Sequence, residues 1–168
     1  MKVSELSFYY AWADKRIINL LNTISNEQFT QKLNNERSLK ELSAHLVASY
    51  EMLLLHNLNN TYLGMKELEE LSKQIKNKSK NELLEYWGQI LERLIILLMK
   101  ISPKKELNIP TGQQSLTKAK YEELIFSFTD HSTYHRGQLI TTFKIITGNE
   151  AINTDYYTYL ITQKSAKK

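Results

Sequence analysis

The chain contains no cysteine. No disulfide framework, thiolate nucleophile or zinc-thiolate knuckle is therefore possible, and any bound metal must be held by nitrogen and oxygen. Long apolar runs are missing as well. The longest, Leu94 to Met99, falls far short of the roughly 20 residues that span a bilayer, and Met1 to Arg16 has no continuous apolar stretch of the signal-peptide kind. These absences predict a cytoplasmic protein with no membrane partner. A clustered basic stripe is also lacking, although the net charge is +4. Lys76, Lys78 and Lys80, Lys104 and Lys105, and Lys164, Lys167 and Lys168 scatter over predicted loops and the tail. With neither a recognition element nor stacking aromatics beside them, they predict a solvated surface and no nucleic-acid partner.

What the chain does have is helical patterning. With 168 residues and 42% hydrophobic content, it is long enough for one domain, 1–168, to bury a core without staples. Leu6, Tyr9, Tyr10, Ala13, Ile17, Leu20 and Leu21 recur at helical spacing and predict a first helix from Ser4 to about Ile24. Ser38-Leu39-Lys40-Glu41 is a capping box, in which serine and glutamate satisfy each other's backbone N–H groups; it opens a second helix through about Leu58. Ser79-Lys80-Asn81-Glu82 is another, opening a third helix that stops at Ser102 before Pro103. Between these two helices lies a long connection with a short helical pattern, Met65 to Ile75. A loop holding Pro110 and Gly112 leads to a fourth helix, from about Thr117 or Ala119 to Thr147, with Gly148 as its C-terminal cap. Thr154 to Ile161 reads as a terminal turn or helix. The expected class is all-α, a four-helix bundle, and the long crossover permits up-down-down-up order because it can return the chain so that helices two and three run parallel.

Chemistry concentrates in Asp130-His131-Ser132-Thr133-Tyr134-His135-Arg136-Gly137-Gln138. Two histidines at i and i+4 share a helix face and can grip one ion. The chain has four histidines, so a third ligand must be His45 or His56. Both lie on nearly the same face of the second helix, but about 16 Å apart along its axis, so they cannot share an ion. Spacing favours His45, which has core on either side, over His56 near the helix end; the competing interpretation of His45 is a hydrogen-bonded core histidine. No carboxylate separates His131 from His135, which disfavours the glutamate-assisted peptidase chemistry of an HExxH site. Asp130 is expected to face solvent. Glu41, at i−4 from His45, is a candidate for orienting it, although the capping box already explains that residue. Gln138, at i+3 from His135, is a candidate either for bonding a metal-bound water or substrate or for supporting the site from behind as a polar residue or helix contact. Gly137 is expected to allow close helix approach, and Arg136 to form an ion pair or cap. Trp12, Tyr10 and Tyr134 would line a pocket mouth or belong to core or dimer interface.

These residues carry a family resemblance. Tyr10-Ala-Trp-Ala-Asp-Lys-Arg16, the Glu-Leu-Ser-Ala-His segment ending at His45, His131-Ser-Thr-Tyr-His135-Arg-Gly-Gln138 and Thr154-Asp-Tyr156 together resemble the DinB/YfiT-like family of small four-helix-bundle metalloenzymes. The resemblance implies a metal triad of His45, His131 and His135, the up-down-down-up bundle and a homodimer. It implies a divalent metal, zinc or nickel first and iron or manganese as alternatives. Three neutral imidazoles leave at least one coordination position open, the mark of a catalytic site. A bound water would be acidified toward pKa ~7 and a bound thiol deprotonated. Because relatives include transferases and isomerases using low-molecular-weight thiols such as bacillithiol or mycothiol, the resemblance implies a small-molecule substrate and thiol S-transfer, or related lyase, isomerase or hydrolase chemistry. A noncatalytic metal-binding or stress-response module is the alternative.

Overall fold

Seven helices and one two-stranded sheet follow one another among the described residues of a computed structural model: α1 (Val3–Asn22), α2 (Asn26–Thr30), α3 (Leu39–Asn59), α4 (Met65–Lys76), α5 (Lys80–Lys100), β1 (Glu106–Pro110), β2 (Leu116–Lys120), α6 (Tyr121–Thr147) and α7 (Tyr156–Ser165). The structure describes the backbone of residues 3–34, 36–59, 65–100, 102, 104–110 and 116–165, and side chains within these except at 3, 4, 55–59, 65, 107, 109, 110 and 116. The His56 side chain, Pro103 and Gly112 lie outside this description.

Local chemistry sets the helix ends. At α3, the Ser38 N–H donates to Glu41 Oε2 at 3.0 Å and the Glu41 N–H donates to Ser38 Oγ at 3.2 Å, the reciprocal pattern that the sequence predicts. Ser79 and Glu82 repeat it before α5, at 2.8 and 3.3 Å. Helix α6 closes on Gly148, whose φ of +69° lets its N–H return to the Lys144 carbonyl at 2.9 Å. A third box, Ser25 with Gln28, opens the short α2, which the sequence reading did not anticipate.

The four long helices pack as a ring of neighbours: α1 against α5 and α6, and α3 against the same two. Helix α3 is covered further by α2 and α4, so nearly every described side chain from Leu42 to Leu54 is buried or half-buried. Its apolar residues Leu42, Leu46, Val47, Tyr50 and Leu54 meet Trp87, Ile90 and Leu94 of α5 in one continuous core with Ile17 and Leu21 of α1 and Leu139 and Phe143 of α6. Burying any one of these large side chains contributes about 1.5–3 kcal/mol before entropy costs.

The strongest local constraint is a buried ion pair. Asp14 of α1 and Arg136 of α6 are 0% and 1% exposed, with Oδ1 and Nη1 2.9 Å apart, and the indole N–H of Trp87 on α5 donates to the other Asp14 oxygen at 3.1 Å. Three helices meet at one carboxylate. Arg136 Nη2 also donates to Thr133 Oγ1 at 3.0 Å. This is the ion pair expected of Arg136, and its partner was not foreseen.

Two elements depart from the sequence reading. Where a plain loop was expected, Glu106–Pro110 and Leu116–Lys120 pair as an antiparallel hairpin, from Glu106 opposite Lys120 to Pro110 opposite Leu116. The fourth helix had been read as starting at about Thr117 or Ala119, but pairing draws these residues into β2 and delays the helix to Tyr121. Pairing between distant segments overrides local propensity here. Gly137, expected to permit close helix approach, is exposed, and a Cβ added to it would meet nothing within 4 Å.

Candidate metal site

His45 projects from α3, and His131 and His135 from α6, one helical turn apart on the face that meets α3. The ring centroids lie 5.6 Å (His45 to His131), 4.7 Å (His45 to His135) and 4.4 Å (His131 to His135) apart. One nitrogen from each falls within 4.8 Å of the other two. Nitrogens 2.0–2.1 Å from a tetrahedral cation stand about 3.4 Å from one another, so closing the set takes side-chain rotations of about an ångström and no helix movement. The donor set fits a borderline divalent cation such as zinc or nickel. His131 and His45 are half-buried and His135 is buried.

The surroundings keep these rings neutral. Burial, followed by the charges of His135, Arg37 and His131, lowers the His45 pKa to about 4. Burial is also the main cause for His131, with the His135 charge adding to it and Asp130 opposing. At His135, burial and the Arg37 charge outweigh the raising effect of the Gln138 hydrogen bond. At neutral pH each ring thus presents a lone pair without first shedding a proton.

Neighbouring side chains fix the ring orientations. Gln138 Oε1 lies 2.8 Å from His135 Nδ1, so it accepts that N–H and leaves Nε2 as the free donor atom, while the Gln138 amide donates to the Tyr134 hydroxyl at 3.0 Å. Of the two readings the sequence offered for Gln138, a bond to a bound water or substrate and support of a ligand histidine from behind, its carbonyl makes the second kind of contact. Ser49 of α3 donates to the His45 carbonyl at 2.9 Å and sits 3.3 Å from His131 Nε2, joining the two helices through one hydroxyl. Glu41 serves elsewhere. One of its oxygens caps α3 through Ser38 and the other pairs with Lys32 at 3.2 Å and Lys76 at 2.6 Å, so the cap and two lysines occupy both. These contacts hold its carboxyl at about pKa 2 against the upward push of burial. Asp130 is exposed, as the helical wheel predicts.

The cluster is accessible. A cleft of about 1150 Å³ opens over His135, walled on one side by the 31–37 turn and on the other by Tyr134, Gln138 and Thr142 of α6. A smaller hollow of about 280 Å³ borders His45, between Arg37 and Lys73. Tyr134 is exposed at the cleft mouth, whereas Tyr10 is core and Trp12 packs on Tyr159 of α7, 5.5 Å between centroids. Sequence reasoning missed Arg37, which borders both openings. Its one local signal was a position just before the capping box that starts the His45 helix.

Comparison with known proteins finds a family match, a relative and a structural likeness. The sequence pattern described as "DinB family" matches residues 1–166. "Protein DinB" of Bacillus subtilis (strain 168) is 27% identical over 165 residues, covering 95% of this chain and 94% of that protein. A crystal structure of a mycothiol-dependent maleylpyruvate isomerase shares the fold at a TM-score of 0.65 and 14% identity, over 83% of this chain. The chain corresponds to 61% of that isomerase's length.

Proposed function

The chain belongs to the DinB family, and from that premise we propose a metal-dependent enzyme acting on a small molecule, with His45, His131 and His135 as the metal ligands. The favoured chemistry is S-transfer of a low-molecular-weight thiol of the bacillithiol kind, or a related lyase, isomerase or hydrolase step. The observation that carries this reading is the convergence of three neutral imidazoles, with no carboxylate in that cluster among the described residues, beside an open cleft of about 1150 Å³. Zinc or nickel is the expected ion, with iron or manganese as alternatives.

A divalent cation held there would acidify a coordinated thiol or water, making a nucleophile available at neutral pH. The protein's own residues do the rest. Gln138 would set the ring plane of His135 and Ser49 that of His131, and the cleft over His135 would admit the reactants. No carboxylate joins the three rings among the described residues, so a bound cation would supply the activation that a general base supplies elsewhere. The structural likeness to a thiol-dependent isomerase supports the thiol preference through fold alone.

We further propose that residues 1–168 form one domain, with the four long helices in up-down-down-up order, and that the protein is a cytoplasmic homodimer. No helix among the described residues is long and apolar enough to cross a membrane. The exposed side chains of Phe8 on α1 and Tyr157 and Ile161 on α7 supply an apolar surface of the kind a second copy would cover.

The test is metal analysis of protein purified without a polyhistidine tag, followed by thiol consumption in the presence of an electrophile. About one divalent ion per chain is expected, and His135→Ala should lose it while far-UV circular dichroism stays helical. Full occupancy in that variant would remove His135 from the ligand set. Stoichiometric metal without thiol-dependent turnover would favour the noncatalytic binding module, a reading that the missing general base keeps open.

A further inference from the structure

The charges around the cleft are unequally committed. Lys32 and Lys76 both engage the one carboxylate of Glu41, at 3.2 and 2.6 Å, which offsets one of their two charges. Arg37 has no ion pair among the described residues and stands where the cleft over His135 meets the hollow beside His45. Its segment is shaped locally: Asn34 adopts φ +52°, a left-handed turn that asparagine tolerates, and Ser38 then caps α3. Arg37 is thus presented from a defined turn, exposed and with its donors available. Glu36, also exposed, is the acidic neighbour on the same wall.

We infer that Arg37 is a specificity-determining residue that receives a carboxylate of the substrate, so that the site takes a singly anionic small molecule whose reactive end reaches the three histidines. The inference rests on the metal-site reading above and adds the substrate's charge class. A cation held by three neutral imidazoles keeps its double charge, so this corner of the protein is positive and favours an anion. The guanidinium fork matches the two oxygens of a carboxylate in plane. Among the described residues lining the cleft, Arg37 is the cation without an ion pair, with Glu36 beside it and Lys32 engaged with Glu41, an arrangement that suits one carboxylate better than a dianion. Thr141 and Thr142 on the opposite side offer hydroxyls to the remainder of the molecule.

Cobalt-substituted protein provides the test, because thiolate binding to the ion is read directly by its absorption. Dissociation constants are measured for 3-mercaptopropionate and 2-mercaptoethanol, and their ratio is compared between wild type and Arg37→Gln. That comparison cancels the intrinsic difference between the thiols. The preference for the carboxylate thiol should fall by roughly fivefold to tenfold in Arg37→Gln, with 2-mercaptoethanol unchanged. Glu36→Gln should move the ratio the opposite way. An unchanged ratio in Arg37→Gln, with cobalt and both thiols still binding, overturns the role of Arg37 alone. Failure of cobalt to bind, or of either thiol to alter its spectrum, overturns the metal-thiol reading and this inference together.

Discussion

Replacing Asp14 by leucine should be among the most damaging single changes in this protein, although Asp14 is not one of the three converging histidines. The carboxylate is fully buried, and its removal strands the Arg136 guanidinium, 1% exposed, and the Trp87 indole N–H that donates to it at 3.1 Å. Breaking a buried ion pair from one side costs about 3–5 kcal/mol, and an orphaned neutral donor about 1–3 kcal/mol; the two overlap because they share one cavity, so about 4–5 kcal/mol is expected. For a chain of this size each kcal/mol moves Tm by roughly 2–4 °C, giving a drop of about 8–20 °C. Urea denaturation followed by far-UV circular dichroism measures the free energy, and a thermal scan checks the shift. The double variant Asp14→Leu/Arg136→Met, which removes both charges, should recover most of the loss. A single-variant loss below about 1 kcal/mol, or a double variant no better than the single, would refute the account of Asp14 as the compensating charge.

Two further outcomes follow from the site. Gln138→Leu should weaken metal affinity roughly 10- to 100-fold while leaving stability nearly unchanged, because it removes the partner of His135 Nδ1 and one exposed bond to Tyr134; competition with a chromophoric chelator measures it, and unchanged affinity would remove Gln138 from the site. All three histidine pKa values lie below the ordinary value, that of His45 at about 4, so protons should compete with metal only as pH falls below about 6.5. The same sign applies to the metal-free fold. The unfolded chain takes up protons near pH 6.5 while the folded one resists them, so stability is full above that pH and declines toward pH 4. Affinity that falls tenfold per unit between pH 8 and 7, or metal-free stability that rises on acidification over 6.5 to 4, would contradict this picture.

What the sequence made legible was local. Both anticipated capping boxes, the glycine stop of α6 and the His131/His135 pair depend on residues three or four positions apart, and such relations can be read without knowing the fold. The third histidine was readable only as a choice between His45 and His56: axial distance made the two exclusive, helix context leaned toward His45, and the family resemblance implied it. The Glu106–Lys120 hairpin escaped because its strands stabilise each other and neither carries a decisive propensity. Asp14 with Arg136 escaped for the same reason at greater separation: nothing near Asp14 marks it as the partner of a residue on the fourth long helix. Arg37 was passed over because an exposed arginine carries no signal until the cleft beside it is known.

Arg136 directly follows His135, so the pair with Asp14 sets the rotation of α6 at the point where its second histidine leaves the backbone. Any roll or slide of that helix would have to uproot a desolvated charge. The segment bearing Lys32 and Arg37 is held, among its described residues, by the exposed Lys32–Glu41 pair, the Glu36 N–H bond to the Leu33 carbonyl and the α3 cap, and by no buried charge. Variation between relatives that adapts them to different reactants should therefore accumulate in this turn, where side chains can be exchanged at little cost to folding, while the rigid flank keeps three rings in place.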